Sequence, residues 1–142
     1  MNTFVSQGYG RHIIINLTKG EKILEAIESE VARLQIQNAI VTSGIGALRK
    51  ATFHRIADTQ DQPTNEMLTV EAPIELGSVQ GLIIGSTPHL HMTFSDKQRA
   101  YAGHMEHGCE VQYLAEISIL ELTNCDYVRR PDPFGIDFIQ QR

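Results

Sequence analysis

The sequence predicts a single α+β domain spanning residues 1–142, built on a mixed, mostly antiparallel β-sheet with few helices. The chain has 142 residues, which is the usual length of one domain. It contains one amphipathic helical pattern, and most other apolar residues fall in short segments of strand length. No internal repeat or linker divides it. Hydrophobic residues make up 42% and aromatic residues only 6%, with no Trp, so the core is expected to be aliphatic.

The first strand and the helix occupy the N-terminal quarter of the chain. A run of three isoleucines within residues 11–17 predicts a buried strand. Thr18 and Glu21 follow with the spacing of a capping box, which predicts that the helix begins there. The helix is expected to end near residues 37–38. Its apolar positions recur at helical intervals and are Ile23, Leu24, Ile27, Val31 and Leu34.

Six strand-like segments follow the helix: residues 39–43, 51–56, 68–77, 81–85, 90–94 and 112–122. Between the first two, Gly44-Ile45-Gly46 is a candidate phosphate loop, but such loops lead into a helix. Since the next segment has a strand pattern, a tight structural turn is predicted instead. Residues 58–66 contain Pro63 and many polar side chains, which predicts a surface loop. The chain after Asn124 is expected to be looser.

The charge of the chain restricts its partners. With 12 basic and 17 acidic residues the net charge is −5, which disfavours nucleic-acid binding by bulk attraction. The basic residues that could form a local patch are scattered, and we expect them to face solvent or form salt bridges. These residues are Arg11, Arg49, Lys50, Arg55, Arg129 and Arg130.

The cysteines and apolar segments indicate the compartment. No apolar stretch is long enough to span a bilayer, and the N-terminus lacks the pattern of a secretion signal. Cys109 and Cys125 are too few for a disulfide framework, so a cytoplasmic location with reduced thiols is expected. Cys109 is a candidate nucleophile with His104 or His107 as its base. A buried structural thiol is the favoured interpretation, because no third catalytic residue accompanies it.

The chemistry-bearing residues concentrate in two short segments that contain His89, His91 and His104. Side chains two apart on a strand share a face, so His89 and His91 point the same way while Leu90 points toward the core. A hairpin with Asp96-Lys97 as a two-residue loop would place His89 opposite His104, and directly opposed residues share a face. This register predicts that the three histidines lie together on one side of the hairpin.

Three neutral imidazoles suit a divalent metal such as Zn²⁺, Fe²⁺ or Ni²⁺. Three protein ligands leave one position open, which would support metal-assisted hydrolysis or hydration. Glu75 and Glu106 are the candidate general bases, and together with His107 they are candidate fourth or outer ligands. The alternative is that the histidines only bond to backbone groups. His12 and His54 are distant from the cluster in sequence and receive no role.

A series of short motifs runs in order along nearly the whole chain. They are Gly20-Glu21, Ser43-Gly44-Ile45-Gly46, Glu75-Leu76-Gly77-Ser78 with Gly81, His89-Leu90-His91, Gly103-His104, and Arg129 to Asp132. In this combination the chain resembles the PPC (plants and prokaryotes conserved) family, whose members are often labelled PD1-like DNA-binding proteins. It departs from the family in having Ala102-Gly103-His104 where Gly-Gly-His is usual, and it lacks the Arg-Gly-Arg-Pro AT-hook of the plant relatives.

The resemblance implies a PPC-like domain that assembles as a homotrimer, with a metal site, often zinc, at His89, His91 and His104. Three hypotheses follow. The first is a metal-binding homotrimer that binds or transforms a small-molecule ligand. The second is a DNA-binding regulatory protein, which the acidic charge and the missing AT-hook disfavour. The third is a structural domain that the metal stabilises without catalysis, in which case a fourth protein ligand should close the site.

Overall fold

The computed structural model describes residues 1–142 as one helix and eight strands. Their bounds are β1 Tyr9–Thr18, α1 Ile23–Leu34, β2 Asn38–Ile56, β3 Asn65–Ile84, β4 Thr87–Ser95, β5 Ala100–Met105, β6 Glu110–Leu122, β7 Tyr127–Pro131 and β8 Asp137–Gln141. The predicted α+β class with a mostly antiparallel sheet is confirmed. No helix in the structure has the length and apolar character needed to cross a membrane.

Six strands form one sheet in the order β1-β6-β2-β3-β4-β5, and every neighbouring pair is antiparallel. The last strand, β5, also pairs with β2, so that β2 to β5 close into a ring of four strands. The closing pairs join Phe53 to Met105 and His54 to His104. This closure brings a residue of β2 beside the β4–β5 hairpin.

The core lies between the sheet and the helix. The residues of α1 that face the sheet are buried, which follows from their helical spacing: Ile23, Leu24, Ile27 and Val31. As the composition predicts, most core residues are Ile, Leu and Val. The core also contains Phe53 and Phe94, whose rings meet edge to face with centroids 5.2 Å apart.

The helix begins later than the capping-box spacing predicts. Thr18 is the last residue of β1, and its N–H and hydroxyl donate to the Glu21 carboxylate at 2.6 and 3.0 Å. The Glu21 N–H donates to the Thr18 carbonyl at 3.2 Å. The Thr18–Glu21 pair therefore closes a turn between β1 and α1 instead of the first helical turn. The helix ends at Leu34, ahead of the predicted end, because Gln35 takes a left-handed conformation with φ of 55°.

The predicted tight turn at Gly44-Ile45-Gly46 is wrong, because the chain continues through these residues as β2. A Cβ on Gly44 would lie 2.5 Å from the Cβ of Val79, so the glycine permits close packing inside a strand. Register shifts between β2 and β6 on either side of these residues bend the strand. Two predicted segments thus merge into one strand of 19 residues.

The C-terminal segment is more ordered than predicted. After Asn124 the chain forms the β7–β8 hairpin, in which Arg129 pairs with Ile139. Tyr127 is buried at the start of this hairpin. The loop predicted over residues 58–66 is present in shortened form, since β3 already begins at Asn65. The Asp58 carboxylate accepts hydrogen bonds from the backbone of Gln60 and Thr64 within it.

Candidate metal centre

The β4–β5 hairpin carries all three predicted histidines, but its register differs from the prediction. His91 lies opposite His104, and the loop contains four residues, 96–99, instead of two. The Asp96 carboxylate accepts hydrogen bonds from the N–H groups of Gln98 and Arg99 at 2.7 and 2.9 Å, which closes this longer loop. The predicted pairing of His89 with His104 is therefore wrong by two residues.

The histidine side chains nevertheless share one face. A shift of two residues preserves the side to which a strand residue points, whereas a shift of one would reverse it. The ring centroids of His89 and His91 are 5.7 Å apart, those of His89 and His104 are 5.0 Å apart, and those of His91 and His104 are 5.6 Å apart. Leu90 and Met92 point to the opposite side and are 1% exposed, as predicted.

A fourth imidazole joins the group from β2. The ring of His54 stacks on that of His104 with centroids 4.5 Å apart, because the pairing of β2 with β5 places these residues opposite each other. From the sequence alone, His54 is assigned no role. No local sequence pattern identifies it, because its contact with His104 forms only when β2 pairs with β5 and closes the ring of strands.

Glu106 connects His54 and His104. One of its carboxylate oxygens, Oε1, lies 2.5 Å from Nδ1 of His54 and 3.1 Å from Nδ1 of His104. Because a carboxylate accepts and does not donate, both Nδ1 atoms carry the proton and both Nε2 atoms retain a free lone pair. The Glu106 N–H donates to the Thr52 carbonyl at 3.0 Å, which holds the Glu106 backbone beside β2.

Two sets of side chains share His104, and only one of them holds its donor atoms close enough together for a metal ion. One set is the three rings of His89, His91 and His104. The other is His54, His104 and Glu106, whose ligand atoms all lie within 4.8 Å of one another. In the second set the Glu106 carboxylate already bonds to both imidazoles, whereas the first set keeps it available to orient a ligand.

The surroundings favour uncharged imidazoles in this group. Burial lowers the pKa of His89, and the positive charge of Arg129 lowers it further. Burial likewise lowers the pKa of His104, and the neighbouring His54 adds to this, which outweighs the opposite effect of Glu106. Neutral rings with a free nitrogen are the form in which histidine binds metal ions.

A cavity of about 370 Å³ opens beside the histidines. Its lining includes His54, His89 and His104, and the C-terminal hairpin contributes Arg129 and Asp137. A small molecule that entered this cavity would contact the imidazole group directly.

The remaining candidate residues lie elsewhere. Glu75 lines a different cavity of about 560 Å³, together with Arg49 and Asp96. His107 bonds through Nε2 to the Glu28 carboxylate at 2.8 Å on the helix side of the molecule. Cys109 is fully buried, and its Sγ donates to the Thr52 carbonyl at 3.2 Å. Of the predicted general bases and outer ligands, the structure therefore brings only Glu106 to the histidines.

Comparison with known proteins identifies similar chains. The family model described as the Plants and Prokaryotes Conserved (PCC) domain matches residues 5–123. A plant- and prokaryote-conserved (PPC) protein of Pyrococcus horikoshii is 22% identical and superposes with a TM-score of 0.84, covering 100% of this chain and 99% of that one. A metal-containing protein of Archaeoglobus fulgidus is 24% identical, with a TM-score of 0.83 and coverage of 99% of this chain and 100% of that one.

A curated relative is much longer than this chain. Over 120 residues, or 84% of the chain, the sequence is 28% identical to the bifunctional protein GlmU of Synechococcus sp. (strain JA-3-3Ab). The matched region makes up 18% of that relative. The chain thus corresponds to less than a fifth of the longer protein.

Proposed function

Because the chain belongs to the Plants and Prokaryotes Conserved family, whose model covers residues 5–123, we propose that it is a metal-binding member of that family. His89, His91 and His104 are the ligands, and a divalent ion, Zn²⁺ by preference, is the metal. The observation that carries this proposal is the convergence of three imidazole rings with centroids 5.0 to 5.7 Å apart. The Archaeoglobus fulgidus protein of the same fold, which contains a metal, supports it.

The ring centroids of the three histidines have nearly the spacing of a zinc site, and rotation of the rings would be needed to direct three nitrogen atoms at one ion, because these atoms do not form a group within 4.8 Å of one another. Zinc bonds to imidazole nitrogen at about 2.0–2.1 Å, which puts tetrahedrally arranged ring centroids about 5 Å apart. A bound ion with three protein ligands supplies Lewis acidity at its remaining position. Since His89 and His104 line the cavity, a small molecule could reach that position, which favours a ligand-binding site over a purely structural one.

Glu106 acts in this proposal as a positioning residue. Its carboxylate accepts the Nδ1 proton of His104 and so leaves Nε2 for the metal, an arrangement that fixes the tautomer and orientation of a ligand histidine. His54 shares the same carboxylate oxygen and stacks on His104, so it restricts the movement of that ring.

The distribution of positive charge disfavours the DNA-binding alternative. Of the six basic residues considered for a patch, four form ion pairs with acidic side chains. The pairs are Arg11 with Glu121, Arg49 with Glu110, Lys50 with Glu71, and Arg55 with Glu66. Paired cations contribute little to the field that attracts phosphates, and the net charge of −5 opposes it further.

The first test is the metal content of the purified, untagged protein. We expect about one divalent ion per chain, and none in a variant with His89, His91 and His104 all changed to Ala. A double variant, His12→Ala with His107→Ala, is the matched control, because it removes histidines that lie outside the group, and it should retain the metal. A native protein that stays metal-free after incubation with Zn²⁺, Fe²⁺ and Ni²⁺ would show that the proposal is wrong.

Single substitutions distinguish the two possible ligand sets. His91→Ala should abolish binding if the three predicted histidines hold the ion, whereas His54→Ala should only weaken it. The reverse order of effects would assign the metal to His54, His104 and Glu106. Metal affinities measured by competition with a coloured chelator provide the comparison, and melting temperatures of the metal-free variants confirm that they are folded.

A further inference from the structure

We propose that the cavity beside the histidines binds a small carboxylate, whose charge is met by the guanidinium of Arg129. This inference extends the proposed function, because it places an anionic ligand next to the metal ligands. Arg129 belongs to β7 and lines the same cavity as His54, His89 and His104. The C-terminal hairpin that carries it lies beyond residues 5–123, which match the family model.

Arg129 lacks the partners that other arginines have. Arg129 forms no ion pair with a carboxylate. The five arginines that do are Arg11, Arg33, Arg49, Arg55 and Arg142. Its Nε atom is buried and has no hydrogen-bond acceptor. Its Nη1 donates only one long bond, of 3.5 Å, to the Asp137 carbonyl. A buried donor without an acceptor is costly, so the guanidinium that lines the cavity still lacks a full set of acceptors.

The charge of Arg129 acts on His89. Among the charged groups, it has the largest effect on His89, whose pKa it lowers. A carboxylate bound to Arg129 would therefore lie within electrostatic reach of the proposed metal ligands. The rest of such a ligand would occupy the space between the guanidinium and the imidazole rings.

The chemistry of the lining favours a monoanion. Arginine binds a carboxylate through two parallel N–H···O bonds, and the Arg129 guanidinium carries the donors for such a pair. The cavity lining contains one arginine and also Asp137, so a single negative charge is balanced better than the two charges of a phosphate monoester. A volume of about 370 Å³ limits the ligand to a small molecule.

The experiment titrates ¹⁵N-labelled protein with sodium propionate and follows the Nε–H resonance of Arg129. It is run on the zinc-loaded and on the metal-free protein, with propionamide as the uncharged probe of the same shape. We expect propionate to shift the Arg129 resonance and propionamide to leave it unchanged. Arg129→Gln should weaken propionate binding roughly tenfold or more, because it removes both the charge and the paired donors. Shifts of the backbone amides near His89 report binding in that variant.

Two further variants make the result specific. Arg130→Gln changes the net charge equally, but Arg130 is exposed and adjacent to Arg129 on the strand, so propionate binding should persist. Arg129→Lys retains the charge without the two parallel donors and should bind with intermediate affinity. If Arg129→Gln does not fold and Arg129→Lys does, the propionate affinity of Arg129→Lys is the test.

Three outcomes would overturn the inference: equal binding to the native protein and Arg129→Gln, equal binding of propionamide, or tighter binding of inorganic phosphate than of propionate. Failure of the proposed function has a different signature. If propionate shifts the Arg129 resonance but the histidines hold no metal, the anion site is supported and the metal site is wrong. If the metal binds but propionate does not shift the Arg129 resonance, only the anion site is wrong.

Discussion

Glu106 is the residue on which the orientation of two imidazoles depends. A single carboxylate oxygen accepts hydrogen bonds from the Nδ1–H groups of His54 and His104, so its charge fixes both tautomers. We expect Glu106→Gln to lower metal affinity roughly 10- to 100-fold, because the amide retains the shape but loses the charge that holds the rings. Chelator competition measures the affinity.

The control for this prediction is Asp61→Asn, in the exposed loop between β2 and β3. It removes one negative charge elsewhere and should leave the affinity unchanged. ¹⁵N spectra of the imidazole nitrogens add a second measurement, since loss of the Glu106 charge should release the His104 tautomer. Unchanged affinity and an unchanged tautomer in Glu106→Gln would show that this carboxylate does not position the ligand.

Cys109 illustrates a residue whose environment excludes a catalytic role. Burial raises the pKa of its thiol to about 11, and its sulfur bonds to the Thr52 backbone. The thiolate is the reactive form, so Cys109 should not react with a disulfide reagent at about pH 8 in the folded protein. We expect one reactive thiol per chain, that of the partly exposed Cys125, and two after denaturation.

The Cys125→Ser variant isolates this effect. It should show no reactive thiol in the native state and one in denaturant. Rapid modification of the native variant would mean that Cys109 is accessible, and the nucleophile interpretation would then return.

At the residue scale, the sequence predicts the histidines on two strands that are consecutive in the chain, and it misses His54, whose strand is distant in the chain. His89 and His91 share a face because they are two residues apart, and His104 joins them through a local hairpin. His54 reaches them only through the β2–β5 pairing. Such a long-range pairing leaves no periodic signal in the sequence near either residue.

At the element scale, the hairpin shows why a wrong register still predicts the right face. The loop has four residues because the Asp96 carboxylate binds two backbone N–H groups that a two-residue loop would not present. The error is an even number of residues, so every side chain keeps its side. The capping-box motif failed for a different reason, since the same hydrogen bonds from Thr18 to Glu21 also stabilise a turn that precedes the helix.

The contact between β3 and β4 beside the site depends on Gly81. A Cβ at this position would lie 2.2 Å from the carbonyl oxygen of His89, and the residue has φ of 147°, which disfavours other side chains. Gly81→Ala should force β4 away from β3 at His89. We expect a loss of about 1–3 kcal/mol in the free energy of unfolding and weaker metal binding.

Gly77→Ala is the matched control on the same strand. A Cβ there would meet only the Thr93 carbonyl oxygen, at 3.6 Å, which is ordinary contact. Urea unfolding of the metal-free proteins and chelator competition of the loaded ones give both quantities. If Gly81→Ala matches Gly77→Ala in stability and affinity, the close approach of the two strands does not position His89.

At the scale of the whole molecule, the sequence predicts the class of fold but not its closure. One helix and a series of apolar segments indicate an antiparallel α+β domain, and the structure confirms this. The ring formed by β2 to β5 depends on two long strands, each of which the sequence divides at glycines. Glycine within a strand that permits close packing cannot be told from glycine in a turn by local pattern alone.

The family resemblance predicts that the protein forms an oligomer, and one face of the sheet is the candidate interface. Alternate residues of β6, from Ala115 to Ile119, are buried, so the opposite face of β1, β6 and β2 points outward. That face carries Ile14, Leu114 and Ile45, which are 68%, 48% and 46% exposed. Ser118 lies opposite Ile14 and Glu116 lies opposite Ile45, so this face mixes apolar and polar side chains and is a candidate surface for contact with another protein chain.

As the family resemblance implies, we expect a homotrimer, with a mass in light scattering three times the 15.9 kDa of one chain. Ile14→Glu should dissociate it, because a charge buried in an apolar interface lacks a partner. Thr59→Glu, in the exposed loop between β2 and β3, adds the same charge outside this face and should leave the trimer intact. A monomeric native protein, or an Ile14→Glu variant that keeps the trimer mass, would remove this face as the interface. The metal content of the Ile14→Glu monomer then tests whether the site needs the assembly, and since all its ligands lie on one chain we expect it to persist.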